Sequence, residues 1–193
     1  MNRTTAAWFG VAGVLVLVFA LVYQVADPAY YDAATFIDYA LVVAQAAVAV
    51  VIGIALILLS RDPPVARGSL FVLFAGIGAV AVGLGGLFED AFGIEDAAWV
   101  WFGGGLVMFV SLPIAGVAAL TVSSPLRWSG LFLIVGAAGY FGFAAVTTGV
   151  SWIVFALWLV HQRRAYVIAL AIFIVPALAM VVYLYGDDVV RGL

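Results

Sequence analysis

The chain has no cysteine, no lysine and one histidine, and only 9% of its 193 residues are charged. Without cysteine there are no disulfides, no thiolate metal sites and no cysteine nucleophile. A single histidine, His161, excludes a multi-histidine metal centre within one chain. The absence of lysine excludes a retinal Schiff base and any catalytic lysine. A retinal pigment of the usual kind is thereby excluded, whatever the helix count.

What is present is apolar. Hydrophobic residues make up 68% of the chain, against roughly 45–50% in an ordinary soluble domain. A small soluble fold cannot hide so much apolar surface, so lipid is the solvent for most of these side chains. The sequence predicts an all-α, integral membrane bundle of seven transmembrane helices, forming one transmembrane domain over residues 1–193.

The seven arginines and ten carboxylates alternate along the chain. Arg3 is followed by Asp27, Asp32 and Asp38, then Arg61 and Arg67, then Glu89, Asp90, Glu95 and Asp96. Arg127 comes next, then Arg163 and Arg164, then Asp187 and Asp188. Basic cytoplasmic loops produce this alternation. The spans read as Ala7–Val25, Tyr39–Ser60, Ser69–Leu87, Ala97–Thr121 and Tyr166–Tyr185, with two more between Trp128 and Val160. Each of the five is near the roughly 20 residues that cross the hydrocarbon core.

The stretch from Trp128 to Val160 is too long for one ordinary span. A turn at Thr147-Thr148-Gly149 divides it, since glycine permits a tight break. The sixth span, Ser151–His161, is then short. This division returns Arg163 and Arg164 to the cytoplasmic side. Six of seven arginines then lie inside and nine of ten carboxylates outside, the exceptions being Arg191 and Asp62. The N-terminus is cytoplasmic and the C-terminus external. The outer belt of aromatic residues includes Trp99, Trp101 and Trp152, while Tyr140 and Trp158 are expected to pack between helices.

Small residues recur at helical spacing: Ala75, Ala79 and Gly83 in the third span, and Gln45, Ala49 and Gly53 in the second. Such stripes are packing seams that let helices approach closely, and Gln45 is expected to find an interhelical hydrogen-bond partner. Pro113 and Pro176 lie inside spans and should kink them or free a carbonyl. Arg67, Ser69, Leu73 and Gly76 match Arg127, Ser129, Leu133 and Gly136 at one offset. A duplicated hairpin would give this match, and so would the small alphabet of membrane helices, which is the favoured reading.

Candidate chemistry is sparse. Glu89, Asp90, Glu95 and Asp96 form an acidic mouth whose hard oxygen ligands suit a cation, but their spacing is not an EF-hand loop. The plainer reading is a solvated loop in which Glu95 and Asp96 cap the fourth span, where the helix dipole favours negative charge. His161 as base and Ser129 as nucleophile would make an intramembrane serine protease, but Trp128-Ser129-Gly130 lacks the Gly-x-Ser-Gly pattern and its place at the cytoplasmic edge is wrong for that class. No span carries a charge at its middle, which argues against proton-coupled transport. The remaining mid-span polar residues are Gln45, Ser111 and Tyr140.

The run Gly-Leu-Phe-Glu-Asp at the end of the third span, and Ser111-Leu112-Pro113-Ile114-Ala115-Gly116 in the fourth, resemble uncharacterised prokaryotic multi-pass membrane proteins, haloarchaeal ones among them. That family has six spans, covering Ala7 to Arg164 here. It often has a histidine at the start of span four, which this chain lacks, and the seventh span is additional. The resemblance implies no activity. The expectation is a non-enzymatic, multi-pass protein of the cell membrane, with no catalytic residue, cofactor or nucleic-acid partner. It would serve as a scaffold or subunit for another membrane protein or for copies of itself within the lipid bilayer. The alternative is a passive transporter or a lipid- or small-molecule-binding bundle.

Overall fold

The computed structural model describes residues 3–26, 35–140, 145–161 and 164–170. These residues are all-α. Six helices follow in order: α1 (Arg3–Ala26), α2 (Phe36–Leu59), α3 (Ser69–Gly86), α4 (Ala97–Leu120), α5 (Ser129–Tyr140) and α6 (Ala145–His161). Residues 164–170 are helical as well. Four stretches, Arg3–Val22, Phe36–Leu59, Val65–Ala91 and Ala97–Leu120, are long and apolar enough to cross a membrane. That is compatible with a membrane protein. The apolar helices that follow are shorter.

Local chemistry sets the helix ends. Thr35 and Asp38 form a capping box at the start of α2: the Thr35 amide and hydroxyl each donate to Asp38 Oδ2 at 2.8 Å, and the Asp38 amide donates to Thr35 Oγ1. This satisfies amides that the first helical turn leaves open. It also starts α2 three residues earlier than Tyr39 and draws Asp38 into the helix, nearly buried.

Two connections share one design. Pro63–Gly68 and Pro125–Trp128 are 3₁₀ turns led by proline, each passing directly into a helix that starts with serine, Ser69 or Ser129. Proline suits a first helical position because its fixed φ is already helical and its missing N–H is not needed there. The helices preceding these turns, α2 and α4, have 24 residues each. The match of Arg67 with Arg127 thus extends to a repeated helix–turn–helix architecture. The two turns touch, and Arg67 Nη1 donates to the Thr121 carbonyl at 3.3 Å, at the C-terminus of α4. A cation there is favoured by the helix dipole.

Each helix packs on its neighbours in sequence, and α6 closes back on α1, forming a ring. At four of these contacts two glycines face each other. A Cβ on Gly13 would lie 2.6 Å from the Gly149 carbonyl oxygen. One on Gly53 would lie 2.7 Å from that of Gly76, and one on Gly78 2.6 Å from that of Gly104. Gly116 and Gly130 meet in the same way. Absent side chains let backbones come together, which is how helices associate where lipid removes the hydrophobic drive. The seam read from the sequence is of this kind: Ala75 and Ala79 are fully buried, and Gly83 faces Ala46 and Ala49 of α2.

The contact order gives helix direction. Gly53 meets Gly76 while Gly83 meets Ala46; Gly78 meets Gly104 while Gly85 meets Trp101. Neighbouring helices therefore run antiparallel, and the same holds for α4–α5, α5–α6 and α6–α1. Alternation places Arg3, Arg61, Arg67, Arg127 and Arg164 at one end of the ring. Glu89, Asp90, Glu95 and Asp96 lie at the other. Asp62 is the one described carboxylate at the basic end, and it is buried.

The break expected at Thr147-Thr148-Gly149 is not there. The region does divide into α5 and α6, but α6 begins at Ala145 and contains all three residues. Gly149 serves a helix crossing instead: its missing side chain makes room for Leu17 and the Gly13 carbonyl. Trp152, expected at the outer belt, is buried, its ring 5.0 Å from that of Phe9. Trp158 packs between helices as read, against Phe132 and Phe155. Pro113 is accommodated within α4. Pro176, Arg191 and most of the expected seventh span lie outside the described residues.

Candidate recess at the acidic end

On α2 the inward stripe runs Leu41, Gln45, Ala49, Ile52, Leu56, Leu59, in steps of three and four residues. Every member is buried except Gln45, which is exposed. The expected interhelical hydrogen bond to Gln45 is not recorded among the described residues. The side chain reaches instead into a recess between α2 and α3 that has room for about one water, ≈ 10 Å³. Gln45 lies about 14 Å along the helix from Phe36, at 1.5 Å per residue.

The facing wall comes from α3. Val82, Gly86 and Asp90 succeed one another at intervals of four, and all three line the recess. Asp90 belongs to a π-helical turn, Leu87–Ala91, that continues α3. Such turns insert an extra residue per turn and re-aim side chains, and they are frequent at functional sites. Gly93 then stops the helix in the left-handed conformation, φ +66°, with its amide on the Glu89 carbonyl. Glycine adopts that conformation without steric cost.

Gly86 makes the recess. A Cβ there would stand 4.0 Å from Asp90 Oδ2, 3.4 Å from Trp101 Cδ1 and 4.0 Å from Trp101 Nε1. A carboxylate and an indole therefore flank a space that a side chain at Gly86 would enter. Trp101 is half exposed and rests on Gly85.

The four acidic candidates do not converge. Asp90 turns to the recess, Glu89 is half-buried, and Glu95 and Asp96 are exposed in the loop. Among the described residues no group of three or more histidine, aspartate or glutamate side chains could hold a metal ion. Asp96 occupies the N-cap of α4, but its side chain makes no capping hydrogen bond; its benefit there is through the helix dipole alone.

At the basic end, Ser129 is buried and its hydroxyl donates to the Leu126 carbonyl at 2.8 Å. His161 is exposed, with Nδ1 3.1 Å from the Leu157 carbonyl. Both groups are engaged with backbone. Ser111 is buried on α4 and does not line the recess.

One outward feature was missed in the sequence. Among the described helical glycines, Gly103 alone has nothing within 4 Å of the position a Cβ would take. Trp99 and Val107, four residues to either side, and Phe102 and Leu106 are exposed around it. The signal, three consecutive glycines at 103–105, was visible; which of them faced outward needed the packing of α3. No family model, no curated protein and no solved structure matches this chain.

Proposed function

We propose that this is a non-enzymatic, multi-pass protein of the cell membrane, with seven spans, a cytoplasmic N-terminus and an external C-terminus. It works as a subunit or scaffold that seats a helix of another membrane component. The observation that carries this reading is the notch at Gly103. Glycine inside a helix costs about 0.5–1 kcal/mol relative to alanine. At most of the described helical glycines that cost is offset by close packing; at Gly103 no neighbour uses the space. A partner helix crossing there would gain the close backbone approach that the buried glycines provide, between flanking Trp99 and Phe102.

The test exploits the absence of cysteine. Single cysteines at Phe102 or Val107 are cross-linked in native membranes, with cysteines at Val14 and Val18 on the exposed face of α1 as controls. A discrete product from the α4 positions only, abolished by Gly103→Leu, is expected. Equal products from both helices, or a product indifferent to Gly103→Leu, would reject the notch.

A second reading, a bundle that binds a small molecule, is favoured by the recess at Gln45, Gly86 and Asp90. A conduit is not favoured, because Phe9, Phe132, Trp152, Phe155 and Trp158 pack together in the basic half.

A further inference from the structure

We infer that the recess between α2 and α3 receives the ammonium head of a small primary amine, between the Asp90 carboxylate and the Gln45 amide. The inference rests on the second, ligand-binding reading and is independent of the notch at Gly103.

The size of the recess comes first. With room for about one water, ≈ 10 Å³, it admits an –NH₃⁺ group and excludes a trimethylammonium. The amine's body would remain at the open mouth. The polar groups come second. An ammonium brings three donors and no acceptor. Asp90 offers carboxylate oxygens and Gln45 an amide oxygen, while the walls between them, Val82, Gly83 and Gly86, add no competing side-chain donor. Gln45 is the one exposed member of an otherwise buried stripe, so its amide is open to a ligand seated at the recess. Lastly, Glu89, Glu95 and Asp96 belong to the same acidic end and do not line the recess. An end of one sign raises the local concentration of the opposite charge.

A metal ion fits less well. Two protein side-chain ligands are few for a hard cation that takes six or more oxygens, and Asp90 is the one carboxylate that lines the recess.

The test measures thermal unfolding of the intact, detergent-solubilised protein against methylammonium chloride, tetramethylammonium chloride and sodium chloride at equal ionic strength. Methylammonium should raise Tm beyond the other two salts, by mass action on the folded state. Asp90→Asn and Gln45→Leu should abolish or reduce this increment. Gly86→Ala is the sharper variant: its methyl group makes only ordinary contacts, so it should fold, yet it narrows the recess with every charge in place. It should lose the methylammonium increment and keep the sodium response. Glu95→Gln, outside the recess, should keep the methylammonium increment.

Equal response to all three salts in the wild type would overturn the inference, as would an increment that survives Gly86→Ala. A cysteine at Gln45, treated with a membrane-impermeant thiol reagent, separates the two levels. Modification without a methylammonium increment removes the amine and leaves an accessible recess. No modification and no increment removes the ligand-binding reading with it.

Discussion

Glycines in this chain differ in what a single methyl group would meet, and that difference predicts opposite outcomes one helical turn apart. On α1, a Cβ at Gly10 would find Ala156 Cβ at 3.8 Å, an ordinary contact. At Gly13 it would meet the Gly149 carbonyl oxygen at 2.6 Å and the Ile153 amide nitrogen at 2.9 Å, both backbone atoms that cannot rotate away. Gly10→Ala should be neutral or stabilising by about 0.4–1 kcal/mol, because it restricts the unfolded chain. Gly13→Ala should destabilise by about 1–3 kcal/mol, the usual cost of overpacking. Thermal unfolding of both variants in detergent checks this, and a Gly13→Ala protein as stable as wild type would refute the crossing. Some residue-scale features could be read from the sequence and some could not. The Ala75–Ala79–Gly83 seam was evident from spacing. Gln45 stands on the α2 face that meets α3, as the spacing gives, but it lines a recess there, since spacing gives the face and not what stands opposite. The Thr35-x-x-Asp38 pattern was in view, but an aspartate among loop acids reads as loop until its hydrogen bonds are seen.

At the scale of one element, α6 shows why the break was misplaced. Thr147-Thr148-Gly149 has the composition of a turn, and composition near a glycine does not distinguish a turn from a helix crossing. Burial against α1 decides it. The helix carries a further consequence. Thr148, Ser151 and Trp152 lie one turn apart, are buried, and present Oγ1, Oγ and Nε1 atoms without a hydrogen-bond partner. An unsatisfied buried polar group costs about 1–3 kcal/mol. Ser151→Ala should therefore hold or raise stability, contrary to the usual effect of a core substitution. Trp152→Ala should lower it by about 3–5 kcal/mol, because the ring fills the space over Gly136 and packs on Phe9. Unfolding midpoints of the two variants should move in opposite directions or leave Ser151→Ala unchanged. A marked loss with Ser151→Ala would mean its hydroxyl is bonded in the membrane-embedded protein.

Across the whole molecule, charge and helix direction support one arrangement from independent premises. The acidic end holds Glu89, Asp90, Glu95 and Asp96 within eight residues of sequence and gathers no described arginine. Repulsion between exposed charges weakens as the Debye length falls to about 3 Å at 1 M salt. Stability should therefore rise from low to high sodium chloride, and neutralising Glu95 and Asp96 together should remove part of the rise. A flat response would reject the repulsion account. Parity bears on the proposed topology. A ring in which every neighbour is antiparallel closes only with an even number of helices, and six described helices close it, α6 against α1. His161 thus returns to the end where Arg3 began. The chain resumes as a helix at 164–170, next to Arg164 at that basic end. On the proposed topology the bias of arginine toward the cytoplasm makes this end cytoplasmic, and one further pass would carry Leu193 to the outside. A reporter fused after Leu193 should be active only in the extracytoplasmic compartment, and one inserted in the Thr121–Ser124 link only in the cytoplasm. If both reported from the cytoplasm, the ring would stand and the seventh pass would not. If both reported from outside, the arginine rule would have failed for this chain, and the recess at Asp90 would open to the cytoplasm.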